Sequence, residues 1–226
     1  VNVVVSSIAR EADATLYTWA GPEIAVATTK AYSTQLAACY LLAVEFARVR
    51  GKIEEEKYAE LVAELQILPD KIAVCGFSAG GHLALSGAVL DIPGETAQQR
   101  PNAVILGYPV ITAGEFAHRG SFVQLAGSED AAAQQAFTLE DKVTSDTPPV
   151  FVWHTMEDKT VPVENTLLLL AALRRAGVPC EAHLFEKGAH GTSISTAEVD
   201  AADPHRAHWV ALCLEWLGET FGFKLS

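Results

Sequence analysis

The chain predicts an α/β fold, a mostly parallel sheet with helices on both faces, and three observations carry that expectation. After Pro69, short apolar runs alternate with amphipathic stretches of helical length. The apolar runs are near-continuous rather than alternating, as strands buried on both faces are. The helical stretch Val163–Ala176 ends at Gly177, with Pro179 two residues on, before a new strand-like run, the punctuation of a βα unit.

The elements follow in order. Asn2–Val5 and Thr15–Trp19 read as short strands, the second ended by the turn pair Gly21-Pro22. From Glu23 to Arg50 the spacing of Leu36, Tyr40, Ala43 and Ala47 is helical, and Arg48, Arg50 and Gly51 make a favourable carboxyl end. Ile53–Leu68 reads as a second helix, with Glu54, Glu55 and Glu56 near its positive end and Pro69 as its stop. Beyond it, Ile72–Cys75 reads as a strand, His82–Leu90 as a helix, and Ala103–Leu106 and Pro149–Trp153 as further strands. Val163–Ala176 is a strong helix that Gly177 and Pro179 terminate; Glu181–Phe185 is a strand. Pro204–Leu217 closes the chain with Trp209, Leu212 and Trp216 on one face. Gly114–Lys142 reads as a surface helix pair or a lid near the active edge.

Composition narrows the function. Sixteen basic against 28 acidic residues give a formal charge of −12, which argues against nucleic acid as a partner, since binding it requires clustered Lys and Arg. The longest apolar run, Leu36–Val44, is too short to span a bilayer, so a membrane is not expected as a partner either. Cys39, Cys75, Cys180 and Cys213 lie far apart in apolar runs, which predicts buried thiols, a reducing cytoplasmic setting and no metal site.

One motif carries chemistry. Gly76-Phe77-Ser78-Ala79-Gly80 matches G-x-S-x-G between a predicted strand and a predicted helix. Chance supplies about 0.08 such matches in a chain of this size at average Gly and Ser usage, so the motif alone is weak; its context and partners strengthen it. The sharp turn predicts that no side chain fits at the flanking glycines. A serine hydroxyl needs an imidazole to take its proton, and that imidazole needs a carboxylate to orient it. Asp158 and His190 each follow a predicted strand, in the order Ser, acid, His, on the edge that carries Ser78. Glu157 and Asp141 are alternative acids with poorer loop positions. His82 reads as a packed residue of the first helical turn, His154 as the start of the acid loop, orienting it, His183 as a strand residue, and His205 and His208 as exposed. The Ala79 N–H, at the helix start, is the one oxyanion donor that can be placed. This chemistry requires no cofactor and no metal.

These segments, with Gly81-His82-Leu83-Ala84, Leu106-Gly107-Tyr108-Pro109, Asp158-x-x-Val161-Pro162 and Gly188-Ala189-His190-Gly191, resemble esterases of the α/β-hydrolase superfamily, in particular the acetyl-xylan-esterase and carboxylesterase-like hydrolases. The likeness covers roughly 69–223 and implies hydrolysis of a short acyl ester, free or on a carbohydrate, through a serine acyl-enzyme. The front is different. Ser6–Asp13 and Ala20–Tyr32 resemble part of the sugar isomerase (SIS) domain of glutamine–fructose-6-phosphate aminotransferase, in which the positions matching Val26 and Thr28 help line a sugar-phosphate pocket. That family's phosphate loop and catalytic residues are not found here, so isomerisation is not expected. The resemblances predict a chimera of two domains, a fragment over 1–70 and a hydrolase over 71–226 without its first strands or its His-Gly-Gly-Gly type loop. An uncovered sheet edge would then favour self-association. An inactive binding or oligomerising module, or a sugar-phosphate-binding remnant, are the competing expectations.

Overall fold

A computed structural model describes residues 10–13, 15, 29–66, 72–90, 100–199 and 202–222. The strands expected at 2–5 and 15–19, and Val26 and Thr28, lie outside the described residues. By compactness the chain divides into two units, Val1–Pro69 and Asp70–Ser226.

In the first unit, helix α1 (Thr29–Val49) is followed by α2 (Glu55–Gln66). The turn between them is set by Gly51, whose φ of 62° suits a residue without Cβ, and by a Lys52 N–H bond to the Ala47 carbonyl. Arg48 joins the two helices. It bonds Glu45 at 2.6 Å, approaches Glu55 at 3.8 Å and lies 4.9 Å from the centre of the Tyr58 ring. Of the expected α1 stripe, Leu36, Tyr40 and Ala43 are exposed and only Ala47 is half-buried.

The second unit contains a four-stranded sheet in the order β1 (Ala73–Phe77), β2 (Ala103–Gly107), β3 (Val150–Thr155) and β4 (Cys180–Phe185), parallel throughout. Between these strands run α3 (Ala79–Val89), α4 (Arg119–Ala126), α5 (Ala131–Gln135) and α6 (Glu164–Ala176). The short α7 (Pro204–Ala207) and α8 (Trp209–Phe221) follow, so the single closing helix expected from sequence is interrupted at His208.

Strand alternation explains the two-sided core. Val104, Leu106, Val150 and Val152 point to the face where Leu85 of α3 and Leu169 and Leu173 of α6 pack. Ala103, Ile105, Phe151 and Trp153 point to the other, against Trp209, Cys213 and Trp216 of α8. Trp153 stacks on Trp209 with ring centroids 5.4 Å apart. Because β2 and β3 are buried on both faces, they read as continuous apolar runs. Among the four cysteines only Cys213 is buried; Cys39 and Cys75 are exposed and Cys180 is intermediate, because apolar neighbours in sequence do not ensure cover in space.

Candidate active site

The elbow is built from β1 outward. Ser78 follows the last residue of β1 and precedes the first of α3, with φ 55° and ψ −124°, a conformation that costs a non-glycine residue about 1–3 kcal/mol. Four backbone bonds hold it. Its N–H donates to the Gly107 carbonyl at 3.0 Å, and its carbonyl accepts from Gly81 at 3.0 Å, Val110 at 3.1 Å and His82 at 3.3 Å. The end of β2 thus braces the strained residue.

The flanking glycines are not equivalent. A Cβ on Gly76 would overlap the Gly80 carbonyl, 2.6 Å from its carbon, and one on Gly81 would lie 2.7 Å from Pro109 Cβ. A Cβ on Gly80 meets nothing within 4 Å. The expectation that both motif glycines are sterically required holds at Gly76, which the Gly80 backbone crowds, and fails at Gly80, where a Cβ has open space.

His190 lies on the loop after β4. Its Nε2 is 2.8 Å from Ser78 Oγ and its Nδ1 is 2.6 Å from Asp158 Oδ2. A carboxylate only accepts, so Nδ1 carries the proton and Nε2 accepts from the hydroxyl. The loop is anchored by buried Arg206, which donates to Ser195 Oγ at 3.0 Å and the Lys187 carbonyl at 3.3 Å. Gly188 has φ 140°, and a Cβ there would run into the Arg206 guanidinium. Trp209 Nε1 donates to the Ser193 carbonyl.

Asp158 is buried in the turn after β3. Burial alone pushes its carboxyl up, but bonds from His154, His190 and the Val161 and Thr160 N–H groups outweigh that and hold it well below the ordinary carboxylate range. Both N–H groups reach Oδ1 at 2.9 Å. Glu157 is exposed and accepts from the Gly188 N–H; Asp141 is exposed on a 3₁₀ turn, Glu140–Lys142. Neither alternative acid is bonded to His190.

His154 is a residue of β3 itself, one before its end, rather than the start of the loop, and is fully buried. Its Nε2 faces Asp158 Oδ2 at 3.3 Å and the Val161 carbonyl at 3.0 Å, both acceptors, so that nitrogen carries the proton. Its Nδ1 accepts from Thr166 Oγ1 at 2.8 Å. His82 is buried on α3 and donates Nε2–H to the Phe137 carbonyl; burial pushes its pKa down. His183 pairs with Glu181, and His205 and His208 are exposed. Ala79, the first residue of α3, is exposed, and N–H groups of a first helical turn have no partner within the helix.

Two supports were not assigned a role from sequence. Tyr108, with φ 38°, sets its ring edge-on to His190 at 4.8 Å, and its hydroxyl accepts from the Ser193 N–H. Fully buried Asn165 accepts from the Ile111 and Thr112 N–H groups and donates to the Phe116 and Pro162 carbonyls, tying the acid loop to the loop after β2. Tyr108 sits in the Leu106-Gly107-Tyr108-Pro109 segment, whose part in the esterase resemblance is the available sequence signal; Asn165 has none. Among the described residues no three His, Cys, Asp or Glu side chains gather as metal ligands would, and no helix is long and apolar enough to cross a membrane.

A parallel sheet with a strained serine after one strand, an imidazole and a carboxylate after later ones, is the architecture of the α/β-hydrolase class. The chain belongs to the prolyl oligopeptidase family, whose profile matches residues 56–223. The SIS domain profile matches residues 1–45. Over 141 residues the chain is 39% identical to endo-1,4-beta-xylanase B of Butyrivibrio fibrisolvens, 57% of this chain and 21% of that protein. Over 71 residues it is 61% identical to the isomerizing glutamine–fructose-6-phosphate aminotransferase of Caldanaerobacter subterraneus, 31% of this chain and 12% of that enzyme. Among solved structures, an acetyl ester-xyloside bifunctional hydrolase from Caldicellulosiruptor lactoaceticus matches with a TM-score of 0.60 at 36% identity, over 83% of this chain and 66% of that one. The chain therefore spans about a fifth or less of these two sequence relatives and about two thirds of the solved hydrolase. Two unrelated families match successive stretches of one polypeptide, as in a chimera.

Proposed function

We propose that the chain is a carboxylic ester hydrolase acting through an acyl-enzyme on Ser78. The observation that carries this reading is the continuous relay from Ser78 Oγ to His190 Nε2 at 2.8 Å and from His190 Nδ1 to Asp158 at 2.6 Å. Ser78 Oγ attacks the ester carbonyl carbon while its proton passes to His190 Nε2. Asp158 stabilises the imidazolium and keeps the ring oriented. The Ala79 N–H donates to the oxygen that becomes negative. Collapse of the tetrahedral species breaks the bond to the alcohol oxygen, which takes the proton from Nε2. Water then repeats the sequence on the acyl group, with His190 again as base and then acid, releasing the carboxylic acid and free Ser78.

The similarity to an acetyl ester-xyloside hydrolase and to a xylanase supports esters, including acylated carbohydrates, as the substrate class. We further propose that residues 71–226 are the hydrolase domain without the strands that precede the elbow in its relatives, with residues 1–70 a separate fragment. In turnover of p-nitrophenyl acetate, His190→Ala is expected to lose about 10⁵–10⁶-fold in kcat and Asp158→Asn about 10⁴-fold. Equal turnover by wild type and His190→Ala would discard the mechanism.

A further inference from the structure

Beside the elbow lies a groove of about 920 Å³, much larger than an acetyl group requires. Its wall begins at Ala79 and follows α3 through Leu83 and Gly87 to Leu90, opposite Phe122 and Leu125 of α4. No Asp, Glu, Lys or Arg lines it. Leu83, an aliphatic side chain on this wall, is 73% exposed, a costly position unless something apolar covers it in use. Two histidines line it, both hydrogen-bonded: His82 gives its Nε2–H to the Phe137 carbonyl, with burial pushing its pKa down, and His118 Nδ1 pairs with Ser121 Oγ at 2.9 Å.

The reaction geometry decides which half of an ester enters. With the carbonyl carbon on Ser78 Oγ and its oxygen at the Ala79 N–H, the alcohol oxygen must lie at His190 Nε2 to receive its proton. Ser78 itself does not line the groove, but its neighbour Ala79 does, as does Val110, whose N–H bonds the Ser78 carbonyl, and no residue of the His190 loop does. Of the two halves of an ester, the one pointing away from the departing alcohol is the one that can enter. That is the acyl side. From Ala79 to Leu90 a helix rises roughly 16 Å, and at an advance of about 3.5 Å per three bonds an extended chain of about eight to ten carbons takes up about 8–11 Å of that length.

We propose that this groove is an acyl-chain subsite and that the preferred substrates are esters of medium-chain aliphatic acids rather than acetate. The proposal rests on the serine-hydrolase reading above. It is tested with the full chain on p-nitrophenyl acetate, butyrate, hexanoate and octanoate. Each fully buried methylene is worth about fourfold in binding, so even partial burial predicts a rise in kcat/KM of about tenfold or more from acetate to octanoate. Gly87 has open space where a Cβ would stand, and Gly87→Phe puts a ring into the groove. The octanoate-to-acetate ratio should then fall by about tenfold. Leu125→Trp, at a half-exposed position on the opposite wall, should lower it in the same direction and serves if Gly87→Phe does not fold. A flat or falling chain-length profile, or a ratio that neither folded variant moves, overturns the subsite while leaving acetate turnover and Ser78 chemistry standing. No turnover of any ester overturns the hydrolase reading and the subsite together.

Discussion

Asp158 receives two backbone N–H groups on one oxygen and two histidines on the other. Its folded pKa lies below the unfolded value of about 3.9, so its contribution to stability is complete above roughly pH 4 and is lost as pH falls towards the folded value. Acid titration of unfolding free energy should accordingly show Asp158→Asn less pH-dependent than wild type below pH 4; parallel curves would contradict the assignment. His154 is the less obvious partner. His154→Phe removes one donor from Asp158 and leaves the Thr166 hydroxyl without its acceptor, at about 1–3 kcal/mol of stability. In this variant kcat for p-nitrophenyl acetate should fall roughly tenfold with little change in KM, whereas unchanged kcat in a folded variant would reduce His154 to packing. The order Ser78, Asp158, His190 was legible because each needs its own chemistry after its own strand. The second histidine's place within β3 was not, because strand ends are set by pairing, here His154 with Leu184, rather than by residue type.

At the scale of elements, the elbow is a contract between β1, α3 and the end of β2. Gly76→Ala would force a Cβ into the Gly80 backbone, which cannot yield without moving Ser78. Gly80→Ala meets no atom and gains helix propensity of about 1 kcal/mol. In chemical denaturation Gly76→Ala should be destabilised by about 2 kcal/mol or more and Gly80→Ala should not be destabilised; equal losses would refute the asymmetry. The motif alone cannot show this, since its two glycines look alike in sequence and differ only in what packs above them. Helix starts were similarly blurred: α3 begins at Ala79, three residues before the expected His82, because Gly80 and Gly81 weaken the propensity signal while tertiary packing against β1 and β2 supplies the helix.

For the whole molecule, the parallel order and two-faced core of residues 72–222 follow from four apolar runs and the helices between them, and these were readable in the chain. What escaped was cover. Burial depends on which other surfaces arrive, so Tyr40, Phe46 and Cys75 stay exposed in spite of apolar neighbours. Among the described residues β1 pairs only with β2, leaving its far side a template for another strand. Sedimentation velocity should therefore show concentration-dependent association that Cys75→Lys reduces; a monomer at all concentrations would refute that expectation.

The most direct test of the central claim is mass-spectrometric mapping of a fluorophosphonate probe on the intact chain. A single adduct on Ser78, absent from Ser78→Ala and strongly reduced in His190→Ala, is the predicted result. An unlabelled wild type, or equal labelling of wild type and Ser78→Ala, would contradict it.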